Sequence, residues 1–231
     1  MYNTEFTTVS SLFMEITTTD KIKELADIKT RTILEALNGS GFSSVFSYEN
    51  SLVSYGLAEL GYKVSVCGDP LFDHPNIKYI EKPESSYDLV LALDQSTTFC
   101  ETNQGQQDLV KFLSSITSGT LVTTVTDYKN GMSNKLFEEP FYLKSQDNES
   151  IILTHRKWNS QDKQQWDHYT YFINNEKELN TSGPYKRRTM YFKQLAKFLF
   201  DNNVKNYKVH KEPLYKGVFS KTFQHIVTAE F

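Results

Sequence analysis

Residues 44–69 read SVFSYENSLVSYGLAELGYKVSVCGD. A short apolar run at 44–48 leads into a polar loop and then a helix-forming stretch at 51–60, stopped by Gly61. A valine-rich run at 63–67 follows, with an acid, Asp69, just past its end. Strand, loop, helix, strand is the repeating unit of doubly wound parallel sheets, which bind ligands beyond the C-terminal ends of their strands. Units that cradle a phosphate or an adenosine place glycines in the first loop, because a Cβ there meets the ligand. Here the loop is Tyr48-Glu49-Asn50-Ser51, without a glycine, and Gly39 and Gly41 lie before the strand, where they cannot substitute.

The flanking sequence continues the alternation. Residues 1–18 are rich in Thr and Ser and read as an N-terminal arm. Ile22, Leu25, Ile28, Ile33, Leu34 and Leu37 recur at helical spacing over 20–37, with Asp20 as N-cap and Gly39 as stop. Strands are expected at 76–81, 87–93 (YDLVLAL) and 120–126. A helix at 104–116 presents Leu109, Phe112, Leu113 and Ile116 on one face and stops at Gly119. This alternation predicts a doubly wound α/β sheet; a mixed α+β domain is the alternative. Beyond it, 150–157 and 166–173 read as a β-hairpin around a polar turn, inserted within 131–187. A helix at 188–201 and strands at 204–210 and 222–229, joined by a loop with Pro213 and Gly217, close the chain. The expectation is one domain over 1–231: arm and helix to 40, a nucleotide-binding half at 42–130, the insertion, and the closing elements from 188.

Composition narrows the function classes. The 231 residues are 39% hydrophobic and 23% charged with a net charge of -3, a globular balance without the basic footprint of a nucleic-acid binder. The run Lys186-Arg187-Arg188 reads as a solvated helix entrance. Cys67 and Cys100 have no CxxC partner, so two reduced thiols are expected, with no disulfide framework and no metal site. The N-terminus has no basic leader, and no run approaches the ~18 apolar residues of a membrane span. The expected location is cytoplasmic, with neither a membrane nor a nucleic acid as partner.

From about residue 30 to 231 the chain resembles the class I S-adenosylmethionine-dependent methyltransferases. GLAELGYKVSVCGD (56–69) resembles that family's first helix and second strand, YDLVLALDQS (87–96) its fourth strand and following loop, and SGTLVTTVTDY (118–128) its fifth strand. A long helix before two antiparallel closing strands, and an insertion after the fifth strand, match the family's order. The resemblance implies a methyltransferase-like Rossmann fold with a mostly parallel seven-stranded sheet, S-adenosyl-L-methionine as cofactor and a small-molecule acceptor. The strand at 44–48 should then lie between those at 63–67 and 87–93, and the last strand should run antiparallel beside 120–126. The departure is the first loop, where the family carries acid-x-Gly-x-Gly-x-Gly.

Site expectations follow residue by residue. Asp69 falls where the family's acid holds the ribose hydroxyls, although Asp69-Pro70 is also an ordinary turn signal. Pro83 follows the third strand, where adenine is often contacted. Asp94 and Gln95 end the fourth strand, facing the transferred methyl group or capping the next helix. Tyr48, Glu49, Asn50 and Ser51 would meet the cofactor's amino-acid end; Glu49 opposes a carboxylate but suits an ammonium, and Asn50 tolerates a left-handed backbone. His155 and His168 are candidate general bases in the hairpin, or simply surface histidines. Trp158, Trp166, Tyr169 and Tyr171 either line a pocket or form cross-strand pairs. Two functions stand: methyl transfer to a small molecule, or a methyltransferase-like binding or structural protein that has lost the cofactor loop.

Overall fold

A computed structural model describes residues 17, 19–68, 70–94, 96–126, 140–145, 149–162, 164–174, 176–210 and 224–231. Asp69, Gln95, nearly all of the N-terminal arm and the loop with Pro213 and Gly217 lie outside the described residues.

The elements up to the fifth strand are α1 (Thr19–Leu37), β1 (Val45–Tyr48), α2 (Leu52–Glu59), β2 (Val64–Cys67), β3 (Ile77–Tyr79), β4 (Tyr87–Ala92), α3 (Asn103–Ser115) and β5 (Thr117–Thr126). There follow β6 (Phe141–Lys144), β7 (Ile151–Trp158), β8 (Gln165–Ile173), β9 (Leu179–Arg188), α4 (Phe192–Asp201), β10 (Asn206–His210) and β11 (Gln224–Glu230). One sheet has seven strands in the order β10-β11-β5-β4-β1-β2-β3. β1 pairs in parallel with both β2 and β4, as expected. β11 runs antiparallel beside β5, with Val227 opposite Thr123, also as expected.

The apolar runs dictate this arrangement because both faces of the central strands are covered. On one face Val45, Val64, Val66, Leu89, Leu91 and Ile226 meet α1 and α2 through Ile33, Leu37, Val53 and Leu57. On the other, Phe46, Val90, Ala92, Leu121 and Val227 meet α3 and α4 through Leu109, Leu113, Leu195, Phe198 and Leu199. Each fully buried side chain of this kind stabilises the fold by about 1.5–3 kcal/mol.

Two glycines allow close approach. A Cβ on Gly56 would lie 2.1 Å from Thr30 Oγ1 and 3.0 Å from the Ala26 carbonyl oxygen, so α1 and α2 cross at van der Waals contact. A Cβ on Gly119 would lie 2.4 Å from the Asp88 carbonyl oxygen. Gly119 is thus an interior residue of β5, which begins at Thr117, and not the helix stop its sequence position implies.

At the N-terminal edge of the sheet the Asp88 carboxylate accepts from Ser43 Oγ at 2.7 Å, Ser43 N at 2.9 Å and Ser44 N at 3.1 Å. These bonds, the Ser43 hydroxyl first and then the Ser43 and Ser44 amides, hold its pKa down at about 2.

The second sheet corrects the sequence reading. The expected hairpin is present as β7 and β8, with Trp158 opposite Trp166, but it forms the centre of a four-stranded antiparallel sheet, β6-β7-β8-β9. β6 is only four residues long, and β9 (LNTSGPYKRR) is polar, carries Gly and Pro, and sits at the edge, where Pro costs no ladder bond. Neither flanking strand carries an apolar alternation. The expected helix at 188 begins instead at Phe192, because Arg187 and Arg188 belong to β9; Gln194 Oε1 then accepts from Tyr191 N at 2.9 Å at the helix start. Arg187 is only 7% exposed and is no solvated helix entrance. α1 begins at Thr19, so Asp20 lies in its first turn and is not the cap.

Two outcomes are expected. Gly56→Ala should lower stability by about 1–3 kcal/mol in urea denaturation, with part recovered by adding Thr30→Ala, which removes the nearest clashing atom; an unchanged midpoint would mean that the helix crossing is looser than the structure shows. The Asp88 contribution, with a folded-state value below that of a free aspartate, is complete above about pH 4 and lost as pH falls through about 2. The difference in stability between the parent and Asp88→Asn should therefore narrow over that interval; a gap independent of pH refutes the assignment.

Candidate functional site

The C-terminal ends of β1, β2 and β4 meet at one edge of the seven-stranded sheet, and polar loops extend from them. The first loop is folded back on itself. Glu49 N donates to the Cys67 carbonyl at 2.9 Å, joining the loop to the end of β2. Ser54 Oγ donates to Ser47 Oγ and Ser47 Oγ to the Glu49 carbonyl, both at 2.8 Å. Ser51 caps α2, its hydroxyl accepting from Ser54 N at 3.3 Å. Asn50 Nδ2 donates to Tyr79 OH at 2.9 Å, and that hydroxyl bonds both the amide and the carbonyl of Phe72.

Glu49 and Asn50 are buried, at 6% and 2% exposure, whereas the Tyr48 ring is half-buried and packs edge-on against Phe112. The left-handed residue is Glu49, at φ 66°, and not Asn50. The turn has to occur one residue early so that Ser51 is extended at φ −139°, ψ 160° and able to cap. An L-residue in that region costs roughly 1–2 kcal/mol, which the hydrogen bonds to the Glu49 amide and carbonyl offset.

The loop after β4 is the second wall. Asp94 is also left-handed, at φ 52°, and its Oδ1 accepts from Lys29 Nζ at 2.9 Å, a cation supplied by α1. A 3-10 turn, Ser96–Thr98, follows, with Ser96 N bonded to the Leu93 carbonyl. Ser96 Oγ and Thr97 Oγ1 are buried and make no hydrogen bond among the described residues. Gln106, fully buried on α3, donates from Nε2 to the Thr97 and Arg188 carbonyls, which ties this turn to β9. The Arg187 guanidinium lies 3.8 Å from the centroid of the Phe99 ring, and its Nη1 reaches Thr98 Oγ1 at 3.4 Å. The four-stranded sheet is therefore clamped onto the loop after β4.

No family model matches the sequence, and no curated protein matches it. Solved structures do. The methyltransferase CcbJ from Streptomyces caelestis superposes with a TM-score of 0.66 at 15% identity, covering 88% of each chain. An S-adenosylmethionine-dependent methyltransferase from Clostridium acetobutylicum gives 0.66 at 12% identity over 99% of this chain and 98% of that one. The sugar N-methyltransferase KedS8 from a Streptoalloteichus species gives 0.61 at 9% identity over 89% of this chain and 86% of that one.

The fold is that of the class I S-adenosylmethionine-dependent methyltransferases. Within this methyltransferase-like frame, the structure brings Tyr48, Glu49, Asn50, Ser51 and Asp94 to the C-terminal edge of the sheet. Pro83 is half-buried in the loop after the edge strand β3, near the exposed Lys78–Glu84 ion pair.

The two histidines are not brought together. His155 pairs with Tyr169 and His168 with Arg156, so by the two-residue alternation of a strand they point to opposite faces of the small sheet. His168 shares its face with the buried Trp166, Thr170 and Arg187, the face clamped to the loop after β4. His155 shares the other with Leu153, Tyr169 and Tyr171. The four aromatic residues divide likewise and form cross-strand pairs: Trp158 stacks edge-on with Trp166 at 5.4 Å, while the Tyr169 ring lies 6.0 Å from His155. Among the described residues no group of three or more His, Cys, Asp or Glu is placed to hold a metal ion, and no helix is long and apolar enough to cross a membrane.

Sequence reasoning missed Lys29 and Gln106, and read Arg187 as solvated. Lys29 stands in the apolar stripe of α1 four residues from Leu25 and from Ile33, and Gln106 in that of α3 three residues from Leu109. A polar residue inside an apolar stripe was the available signal.

Cys100 reports on the first loop. Burial, and then the charges of Glu49 and Asp108, push its thiol up to about 11. At pH 8 the reactive thiolate is therefore more than about a hundredfold scarcer than for an ordinary cysteine. Alkylation by iodoacetamide, read by peptide mapping, should rise with pH toward that value, and Glu49→Gln should shift the profile downward. A profile centred near that of a free thiol, unmoved by the substitution, would place Glu49 elsewhere.

Proposed function

We propose that this chain binds S-adenosylmethionine at the C-terminal edge of β1, β2 and β4 and transfers its methyl group to a small-molecule acceptor, the chain acting as one unit over 1–231. The observation that carries this reading is the pair of buried hydroxyls in the 3-10 turn after β4, Ser96 Oγ and Thr97 Oγ1, which make no hydrogen bond among the described residues and lie beyond the C-terminal end of a central strand, where doubly wound sheets bind ligands. Leaving such groups unsatisfied costs roughly 1–3 kcal/mol each, which a polar ligand there would recover. Asp94 adds an acceptor: Lys29 holds Oδ1, and Oδ2 makes no hydrogen bond among the described residues. Acids and hydroxyls suit a ligand carrying an ammonium and a ribose.

When bound, S-adenosylmethionine supplies a methyl group on a sulfonium, open to in-line attack by the acceptor. The chain's share is positioning. Asp69 would accept from the ribose hydroxyls, Pro83 would pack on the adenine, and Glu49, with Asn50 and Ser51 behind it, would bound the amino-acid end. Asp94 and Gln95 would flank the methyl group. His168 is the base candidate on the face turned to the site, and His155 would take no part. Similarity to a sugar N-methyltransferase, together with the net charge of -3, supports a small molecule over a nucleic acid as acceptor.

One observation favours a second reading, a binding or structural protein without catalysis. A buried, left-handed glutamate stands where working loops keep a glycine. Titration with S-adenosylhomocysteine separates the two. At a hundred times its dissociation constant a ligand of the folded state stabilises by about 2.7 kcal/mol, or roughly 5–10 °C of melting midpoint for a domain of this size. Asp69→Ala should weaken binding at least about tenfold. No shift at millimolar ligand would establish the second reading, and a full shift surviving Asp69→Ala would reject the placement of the ribose.

A further inference from the structure

The Lys29–Asp94 pair joins two parts of the chain that the sequence gives no reason to connect. α1 runs opposite to the parallel strands. Its end, Ala36 to Asn38, lies beside Thr120, Thr228 and Glu230, at the edge of the sheet away from the ligand loops. Lys29 stands about two turns earlier, which brings it to the ligand edge. It is held there from both sides: Thr30 and Ala26, its neighbours on α1, form the contact with Gly56. The Lys29 side chain is 11% exposed and that of Asp94 24%. A lysine so buried is costly unless paired, and a left-handed aspartate persists only where its surroundings hold it. Each residue meets the other's requirement.

We infer that Lys29 is a positioning residue for the site proposed above: by holding Asp94 Oδ1 it fixes the left-handed turn between β4 and the Ser96–Thr98 helix and leaves Oδ2 as the acceptor offered to the ligand. The inference rests on the methyl-donor reading for the identity of that ligand and on geometry alone for the turn. α1 is then part of the site, although it precedes the whole nucleotide-binding unit in sequence. Among the described residues Ser96 N bonds the Leu93 carbonyl at 3.0 Å and Phe99 N the Ser96 carbonyl at 3.2 Å, while Gln106 and Arg187 hold Thr97 and Thr98, and none of these bonds involves the Asp94 carboxylate. Among the described residues the Asp94 side chain is held by Lys29, which opposes the cost of its left-handed backbone.

The test uses the full chain and Lys29→Met, Lys29→Arg, Asp94→Asn and the Met/Asn double variant. Hydrogen exchange is followed at the Ser96 and Phe99 amides, with amides of α2 and β2 as controls, and S-adenosylhomocysteine binding by calorimetry. Lys29→Met should speed exchange at Ser96 by at least about tenfold while the controls hold. Lys29→Arg, which keeps charge and reach, should restore exchange to within a few-fold of the parent. The double variant should be no faster than Lys29→Met, because both changes act on one interaction. Affinity for S-adenosylhomocysteine should fall at least about tenfold in Lys29→Met and recover in Lys29→Arg.

Unchanged exchange at Ser96 in Lys29→Met overturns the inference. So does faster exchange spread equally over the controls, which marks a general loss of packing, and so does faster exchange with unchanged affinity, which leaves the turn outside the site. If Lys29→Met does not fold, Asp94→Asn carries the exchange arm, with the same two outcomes. A parent that binds no S-adenosylhomocysteine removes the methyl-donor reading, and the exchange data then decide the turn by themselves.

Discussion

β1 and β4 lie side by side at the centre of the seven-stranded sheet with helices covering both faces, so neither strand can shift without breaking contacts on two sides. Their pairing register, Val45 with Leu89 and Ser47 with Leu91, is fixed by this double burial. The polar residues are driven to the ends. At one end Asp88 gathers the amides of Ser43 and Ser44. At the other, each strand is soon followed by an acid with a left-handed backbone, Glu49 after β1 and Asp94 after β4. Both strained residues stand at the edge where doubly wound sheets take their ligands, and each is held by a specific partner: the Cys67 carbonyl for the Glu49 amide, Lys29 for the Asp94 carboxylate. Strain placed there and stabilised from outside the loop is what preorganisation requires.

The architecture was legible because burial on both faces writes itself as continuous apolar runs. YDLVLAL and the valines of β2 needed no partner to be recognised, and their alternation with the helices implied a parallel sheet, while the antiparallel last strand followed from the resemblance to the methyltransferases. The same logic explains the misses. β6 is four residues long, and β9 is polar over most of its length; neither carries the alternation that betrays a strand. Their place comes from ladder bonds to β7 and β8, which a single sequence does not display. Arg187 was misread for the same reason. In a basic run it suggests solvent, yet it alternates inward from β9 and lies on Phe99.

The site was legible only in part. Placing Tyr48, Glu49, Asn50, Ser51 and Asp94 at strand ends followed from the element order. What those side chains do there did not, because it depends on residues far away in sequence. Lys29 is 65 residues from Asp94, and Gln106 is 82 from Arg188. The histidines fell to a different limit. Spacing placed both in one hairpin, but only the pairing register shows that His155 and His168 face opposite ways.

The glycine-free loop has its own chemistry in place of open space. Glycines let a ligand approach the backbone because nothing projects from it. Here the polar groups of Ser47, Ser51 and Ser54 are committed to one another and to the Glu49 carbonyl, and Asn50 is committed to Tyr79. The loop is held in shape by hydrogen bonds within and around it, without the steric freedom of an unsubstituted backbone. Such a loop presents side chains where a glycine-rich loop presents peptide groups. The Glu49 carboxylate, whose charge raises the Cys100 thiol, stands where a glycine would place no side chain at all. On the α1 side the Lys29 cation compensates the Asp94 carboxylate, so the charge of the acid after β4 is balanced by a helix that precedes the whole strand-loop-helix unit.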